Sequence, residues 1–150
     1  MNRKNIEYPP EEKIVYSPSV HICRTPEYKW KRKFVEVSCI AAAAIRRPRI
    51  KYNSEGEEFF SNYEDKEFMR NTLRQIFEIA KNKKHDSIVL GAWGCGAFGG
   101  PRDGMVEIFE EVILEKGDEF AKIGFGVLVK SGSDDENFVK FKKIVSPDKK

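Results

Sequence analysis

The sequence predicts an α/β fold, a three-layer α/β/α arrangement around a mostly parallel mixed sheet. Three observations carry that expectation. Short apolar runs rich in β-branched residues alternate with amphipathic helical segments. One of those runs passes through a glycine-rich loop straight into a helix. The 150 residues fit one ordinary domain, and a chain of that size buries roughly 68–70% of its unfolded surface with no disulfide or metal.

The elements follow in order. Residues 1–13 are polar, contain Pro9-Pro10, and read as an extended arm. Ile14–Arg24, with Ile14, Val15, Tyr16, Val20 and Ile22, reads as one or two short strand pieces broken at Pro18. Thr25–Lys33 holds Pro26 and a charged run, which predicts a turn or exposed loop. Phe34–Ala44 is the first long apolar run. Val35, Val37 and Ile40 favour strand, and burial on both faces near its end would make it a central strand. Arg46–Gly56 reads as a long polar loop.

Asn62–Lys84 is the clearest helix, with Phe68, Met69, Leu73, Ile76, Phe77 and Ala80 at the helical period. Asn62 or Ser61 is its expected N-cap. Ser87–Ala92 predicts a short buried strand, Trp93–Pro101 the glycine loop, and Arg102–Lys116 a second helix stopped by Gly117. Lys122–Val129 reads as another buried strand and Ser131–Ser133 as a turn. Asp134 or Asp135 caps a last helix carrying Phe138, Phe141, Ile144 and Val145. The organisation is therefore an arm over 1–13, one domain over 14–145 and a polar tail over 146–150.

Composition excludes several classes. No run approaches the roughly 18 apolar residues of a membrane span, and the start MNRKNIEYPPEEK lacks the apolar stretch of a secretory signal. Cys23, Cys39 and Cys95 are odd in number, form no CxxC pair and keep no ligand spacing with His21 or His85. Free thiols in a reducing, intracellular compartment are expected, with no metal. The net charge of +3, from 27 Lys+Arg against 24 Asp+Glu, is small for a dedicated nucleic-acid binder. It is unevenly placed, with basic clusters at Lys29–Lys33 and Arg46–Lys51 and an acidic stretch from Glu55 to Glu67. The clusters fit solvated loops or, as a weaker alternative, a nucleic-acid contact.

The strongest chemical signal is LGAWGCGAFGGP, Leu90–Pro101, with five glycines in twelve residues between a strand and a helix N-terminus. Glycines let successive backbone N–H groups converge on phosphate oxygens, and the helix adds its partial positive end. There is no GK[ST], so this is no P-loop. Gly94–Gly99 matches a bare GxGxxG spacing, but Lys130 stands where a dinucleotide site wants an acid. A tight crossover with no ligand remains the bland reading. The number of glycines and the aromatic Phe98 among them favour a ligand whose sugar or base an aromatic can cover.

At these residues the sequence resembles the microbial-type poly(ADP-ribose) glycohydrolases, a branch of the macro-domain superfamily. The glycine loop is similar to that family's diphosphate loop. Tyr16-Ser17-Pro18 with Val20, Val37–Ala44, Leu73–Ala80 and Phe125–Val129 with Asn137 and Phe141 resemble the flanking strands and helices. The resemblance spans about 14–145 and implies a macro-domain-like fold, reduced at the N-terminus, with ADP-ribose or an ADP-ribosylated protein as partner and no cofactor. It implies that Gly94, Cys95, Gly96, Ala97, Phe98 and Gly99 wrap the diphosphate and distal ribose. It places Asn137, Phe138 or Phe141 near adenine.

The departures from the family are equally informative. Members that cleave the ribose–ribose bond carry a glycine triplet and a Gln-Glu-Glu motif whose glutamate is the general acid. Neither GGG nor QEE occurs in this sequence, and Gly100 and Arg102 stand where the family usually has Asn and a second Pro. Arg102 reads as a phosphate contact or a solvated residue. Glu55, Glu57, Glu58 and Asp65 read as solvated carboxylates, Cys95 as packing rather than a nucleophile, and Trp30, Trp93, His21 and His85 as core or rim. The expected function is ADP-ribose binding without glycohydrolase catalysis. The alternative is a glycohydrolase using an unrecognised or partner-supplied acid.

Overall fold

A computed structural model describes residues 14–129 and 135–145. The expected arm and tail, the turn at 131–133, Lys130 and the alternative cap Asp134 lie outside the described residues. The chain divides into two compact units, one ending at Ala43 and one beginning at Ala44.

The described part of the first unit is a hairpin of β1 (Ile14–Arg24) and β2 (Trp30–Ala42), paired antiparallel from Ile14↔Ala42 to Arg24↔Trp30. Pro18 does not split β1 as expected. Ser17 pairs with Cys39 and Val20 with Val37, so β1 holds one extra residue there, and Ser19 takes a positive φ of 55°. A bulge accommodates a proline that cannot donate to the ladder. The charged run after Pro26 is no loop either. The turn is confined to Thr25–Lys29, closed by Tyr28 N–H to the Thr25 carbonyl at 2.9 Å. β2 is not the doubly buried central strand that its apolar run suggests. It pairs only with β1 among the described residues, and Phe34 and Val35 are exposed.

The second unit opens with a segment read from sequence as loop. It contains β3 (Ile50–Tyr52), antiparallel to β4 (Glu58–Phe60). Asn53 builds the turn, its Oδ1 accepting from the Glu55 and Glu57 amides at 3.0 and 2.9 Å, with Gly56 at φ +79°.

Helix α1 (Tyr63–Asn82) starts where its cap predicts, Asn62 accepting from the Glu64 amide at 3.1 Å. It buries Met69, Leu73, Ile76, Phe77 and Ala80, the expected apolar face. Lys84, at φ +63°, ends it, and the His85 amide reaches back to the Ala80 carbonyl at 3.0 Å. β5 (Ser87–Leu90) and β6 (Lys122–Phe125) form a parallel ladder, joined through α2 (Arg102–Lys116). Gly117 does not stop α2 with a left-handed turn. At φ −65° it leads into a short 3-10 turn, and a Cβ there would meet Ile113 at 3.2 Å and Ile123 at 3.5 Å. The glycine serves close packing. Helix α3 (Glu136–Val145) is capped by Asp135, which accepts from the Asn137 amide at 3.0 Å.

Among the described residues the strands form three two-stranded ladders, two antiparallel and one parallel, where the sequence predicts a mostly parallel sheet. An α/β composition can be read from apolar periodicity, but strand direction depends on long-range pairing. β5 and β6 are shorter than expected and open on one side, with Val89 79% exposed.

The core lies around α1 and α2. Phe77 meets Phe120 edge-on at 5.5 Å, and Phe109 meets Phe125 and Phe141 at 5.4 Å each. Lys66–Glu107, Arg70–Glu111 and Arg74–Glu115 pair at 2.8, 2.6 and 2.7 Å. Each rung advances four residues on both helices, so α1 and α2 run parallel, one turn per rung. No helix among the described residues is long and apolar enough to cross a membrane.

Candidate functional site

The glycine loop leaves the carboxyl end of β5 and enters the N-terminus of α2. Its neck is held by the Gly126 amide on the Leu90 carbonyl (2.7 Å) and the Gly100 amide on the Gly94 carbonyl (2.8 Å). The glycines divide into two kinds. Gly94 is buried at φ +82°, and a Cβ there would lie 3.2 Å from Met69 and 3.4 Å from Ala44. Gly100 is also buried, with only 3.0 Å between a built Cβ and the Gly94 carbonyl oxygen. These two are required by packing.

Gly96 and Gly99 are exposed, and a Cβ at either meets nothing within 4 Å. Gly99, at φ +64°, closes the tip by donating to the Gly96 carbonyl at 3.0 Å. The amides of Gly96, Ala97 and Phe98 donate to no protein acceptor among the described residues. Three consecutive unengaged N–H groups at a loop tip are the backbone equipment of an anion site. Phe98 is half-buried, and its carbonyl accepts from the Arg47 amide at 2.6 Å. Arg47, itself at φ +53°, therefore props the loop from the segment before β3. Sequence patterning gives no hint of it beyond a basic cluster.

Cys95 turns inward and is 4% exposed, its Sγ–H directed to the Trp93 carbonyl at 3.7 Å. Burial pushes the thiol up to about 12, with Glu58 and Asp103 adding to the rise and Arg102 opposing it. A thiol so protonated is no nucleophile at neutral pH. The Cys95 amide is engaged as well, donating to the Ala92 carbonyl at 3.1 Å.

The N-terminus of α2 is already charged from within. Pro101 caps it without a side-chain bond, and Glu58 of β4 supplies the carboxylate instead. Its Oε2 accepts from the Arg102 amide at 3.2 Å, while Arg102 Nη1 donates to both oxygens at 3.1 and 3.0 Å. Glu136 lies 3.3 Å from the same guanidinium. Asp103 accepts from the Glu58 amide at 3.0 Å and from Lys140 Nζ at 2.5 Å. Burial alone would raise the Asp103 carboxyl, but those two bonds and the charges of Lys140 and Lys143 hold it below its usual range. Arg102 is therefore ion-paired rather than solvated, and Glu58 is no solvated surface acid. The spacing of 44 residues between them explains why pattern reading missed the pair.

Asn137 reaches the loop, its Nδ2 donating to the Cys95 carbonyl at 3.4 Å, while its buried Oδ1 has no protein partner. Phe138 is exposed. Phe141 does not present a face to a ligand: it is 1% exposed and enclosed by Phe109 and Phe125. The site thus joins the loop tip, Arg47 and the start of α3. Among the described residues, Glu55 and Glu57 bond to Asn53 rather than to the site, and no hydrogen bond or ion pair joins Asp65 to it. No group of three or more His, Cys, Asp or Glu among the described residues is placed to hold a metal ion.

No family model matches the sequence, and neither does any curated protein. Solved structures do. Poly(ADP-ribose) glycohydrolase from Deinococcus radiodurans in complex with ADP-ribose superposes with a TM-score of 0.74 at 25% identity, over 88% of this chain and 52% of that one. A second crystal form of that complex gives 0.71 at 26% identity, with the same shares covered. The chain resembles the microbial poly(ADP-ribose) glycohydrolases. The Thermomonospora curvata enzyme bound to the inhibitor ADP-HPD gives 0.71 at 24% identity, over 87% of this chain and 48% of that one, a likeness of fold. This chain spans about half the length of the glycohydrolases it matches. The α/β architecture with small sheets is therefore a macro-domain-like one, as the glycine loop suggests.

Proposed function

We propose that this chain binds ADP-ribose, free or attached to protein, at the tip of the glycine loop. The observation that carries the reading is the run of unengaged amides at Gly96, Ala97 and Phe98, on a fold shared with glycohydrolases that hold ADP-ribose. The diphosphate takes these N–H groups, and Phe98 covers the distal ribose. The family resemblance puts Asn137 and Phe138 toward adenine, and the unpartnered Oδ1 of Asn137 supports that reading as an acceptor for an exocyclic amine. Arg102 is compensated by Glu58, so phosphate recognition rests on backbone dipoles.

Hydrolysis of the ribose–ribose bond is not assigned. It requires a positioned carboxylic acid, the sequence contains no Gln-Glu-Glu run, and Glu58 is committed to Arg102. The alternative is catalysis completed by an acid from a partner chain.

Titration calorimetry with ADP-ribose tests binding. Saturable heat is expected, and Phe98→Ala should weaken it by about 1–3 kcal/mol. Gly96→Val, placed in open space, should abolish binding without lowering Tm. No heat at millimolar ADP-ribose with the protein folded overturns the reading. Incubation with poly(ADP-ribosyl)ated protein should release no ADP-ribose; release would assign catalysis to this chain.

A further inference from the structure

The tip of the β1–β2 hairpin has a composition unlike the rest of the molecule. Residues 24–34 contain five Lys or Arg and one Glu, a local charge of +4, against +3 for the whole chain. The remainder of the protein is therefore slightly acidic. Lys29, Lys31, Arg32 and Lys33 take part in no ion pair among the described residues, whereas α1 and α2 pair theirs rung by rung. Solvated lysines alone would be ordinary surface chemistry. What sets the tip apart is its aromatic residues and the backbone that presents them.

Between the pairs Ile22↔Val35 and Arg24↔Trp30, β1 advances two residues and β2 five. The surplus on β2 includes Lys31, Arg32 and Lys33. Trp30 follows the turn and is 66% exposed, with the Arg24 guanidinium 4.5 Å from its ring centroid on one face. That contact, with Arg24 Nη1 donating to the Tyr28 carbonyl at 3.0 Å, orients the indole. Tyr28 is 79% exposed and sits at φ +61°, where glycine or asparagine would be cheaper. A strained, exposed aromatic beside an oriented, exposed indole is costly to maintain on a surface that meets only water.

We propose that this hairpin tip docks single-stranded nucleic acid, its phosphates on the Lys31–Lys33 bulge and its bases stacked on Trp30 and Tyr28. The chemistry favours a single strand because stacking needs unpaired bases, while a basic groove tracks the backbone. The surface uses none of the residues assigned to ADP-ribose, so failure of either reading leaves the other standing.

The test is fluorescence anisotropy of the full chain with a labelled 20-mer of DNA and of RNA, against the matching duplexes and against vesicles containing phosphatidylserine. Neutralising three phosphates should weaken single-strand binding about twenty-fold between 50 and 200 mM salt. Charge reversal of Lys31, Arg32 and Lys33 to Glu should cost at least a hundred-fold. Trp30→Ala should cost about ten-fold and Trp30→Phe much less. Trp30 fluorescence should quench on binding, read in a Trp93→Phe background. All hairpin variants should keep wild-type Tm, which separates lost contact from lost fold. Absence of binding at 50 mM salt overturns the proposal. So do equal affinity for duplex and single strand, indifference to Trp30, or tighter binding to vesicles.

Discussion

The helix pair and the hairpin solve opposite problems with the same residue types. On the facing sides of α1 and α2, Met69, Leu73, Phe77, Met105, Ile108, Phe109 and Val112 are buried almost completely, and charges are matched across the helices. On β1 and β2, Val15, Ile22, Phe34 and Val35 are exposed, and the lysines of the tip have no ionic partner among the described residues. Burial at roughly 25 cal/mol per Å² of apolar surface makes the first region the source of stability. The hairpin holds together through its ladder and contributes surface. Disturbances should therefore be large around α2 and small on β2.

The cysteines compare the two regions within one molecule. Cys39 is exposed on β2, whereas Cys95 is buried with its thiol raised from 9.0 to about 12. A rise of three pH units lowers the thiolate fraction about a thousand-fold, before access is counted. Timed alkylation at pH 8 followed by mass spectrometry should label Cys39 rapidly and leave Cys95 unmodified. Fast labelling of Cys95 in folded protein would break the comparison at its sharpest point.

Phe109 meets Phe125 and Phe141 and is fully buried. Phe109→Ala should cost about 3–5 kcal/mol in denaturant unfolding, through lost transfer energy and the cavity left behind. Gly94→Ala should cost about 1–3 kcal/mol, because the left-handed backbone and the Met69 and Ala44 contacts both resist a Cβ. Gly96→Ala, two residues away in open space, should cost under 0.5 kcal/mol. The contrast between these two glycines is the most direct test of which part of the loop is scaffold.

Those glycines also show how far sequence reading reaches. The loop stood out by composition, α1 by its period and its Asn62 cap, and the crossover by a strand meeting a helix. Each of these is a local signal, written in neighbouring residues. The role of Glu58 at the start of α2 was hidden because its partner is 44 residues away. β3 and β4 were hidden because three-residue strands carry too few side chains for a period. Phe141 looked like a ligand aromatic and Phe34–Ala44 like a central strand for one reason. Apolar residues announce that they prefer burial, not which neighbour provides it.

Asp103 links three elements, accepting from Glu58 of β4 and Lys140 of α3 while lying in the first turn of α2. Its folded pKa lies below the unperturbed 3.8. The unfolded state therefore binds this proton more readily, and the stabilisation is fully present above the unfolded value. It is lost as pH falls through the folded value. Asp103→Asn should cost about 1–3 kcal/mol at pH 7 by weakening two charge-assisted acceptors. The variant should also lose part of the wild-type fall in stability below about pH 4. Parallel acid slopes for the two proteins would mean that Asp103 is not protonated in that window.

The smallest effect belongs to the hairpin. Val35 pairs with Ile22 and is 45% exposed, so a change of shape-conserving polarity removes little buried surface. In a core, Val→Thr strands a hydroxyl away from water and is not a conservative change. On an open strand the hydroxyl stays hydrated, and threonine retains the β-branched preference for extended backbone. Val35→Thr should therefore shift unfolding by no more than about 0.5 kcal/mol. The same substitution at Val112, buried completely in α2, should cost several times more. A loss at Val35 comparable to that at Val112 would mean that the hairpin face is covered in solution, and the two regions would no longer differ in kind.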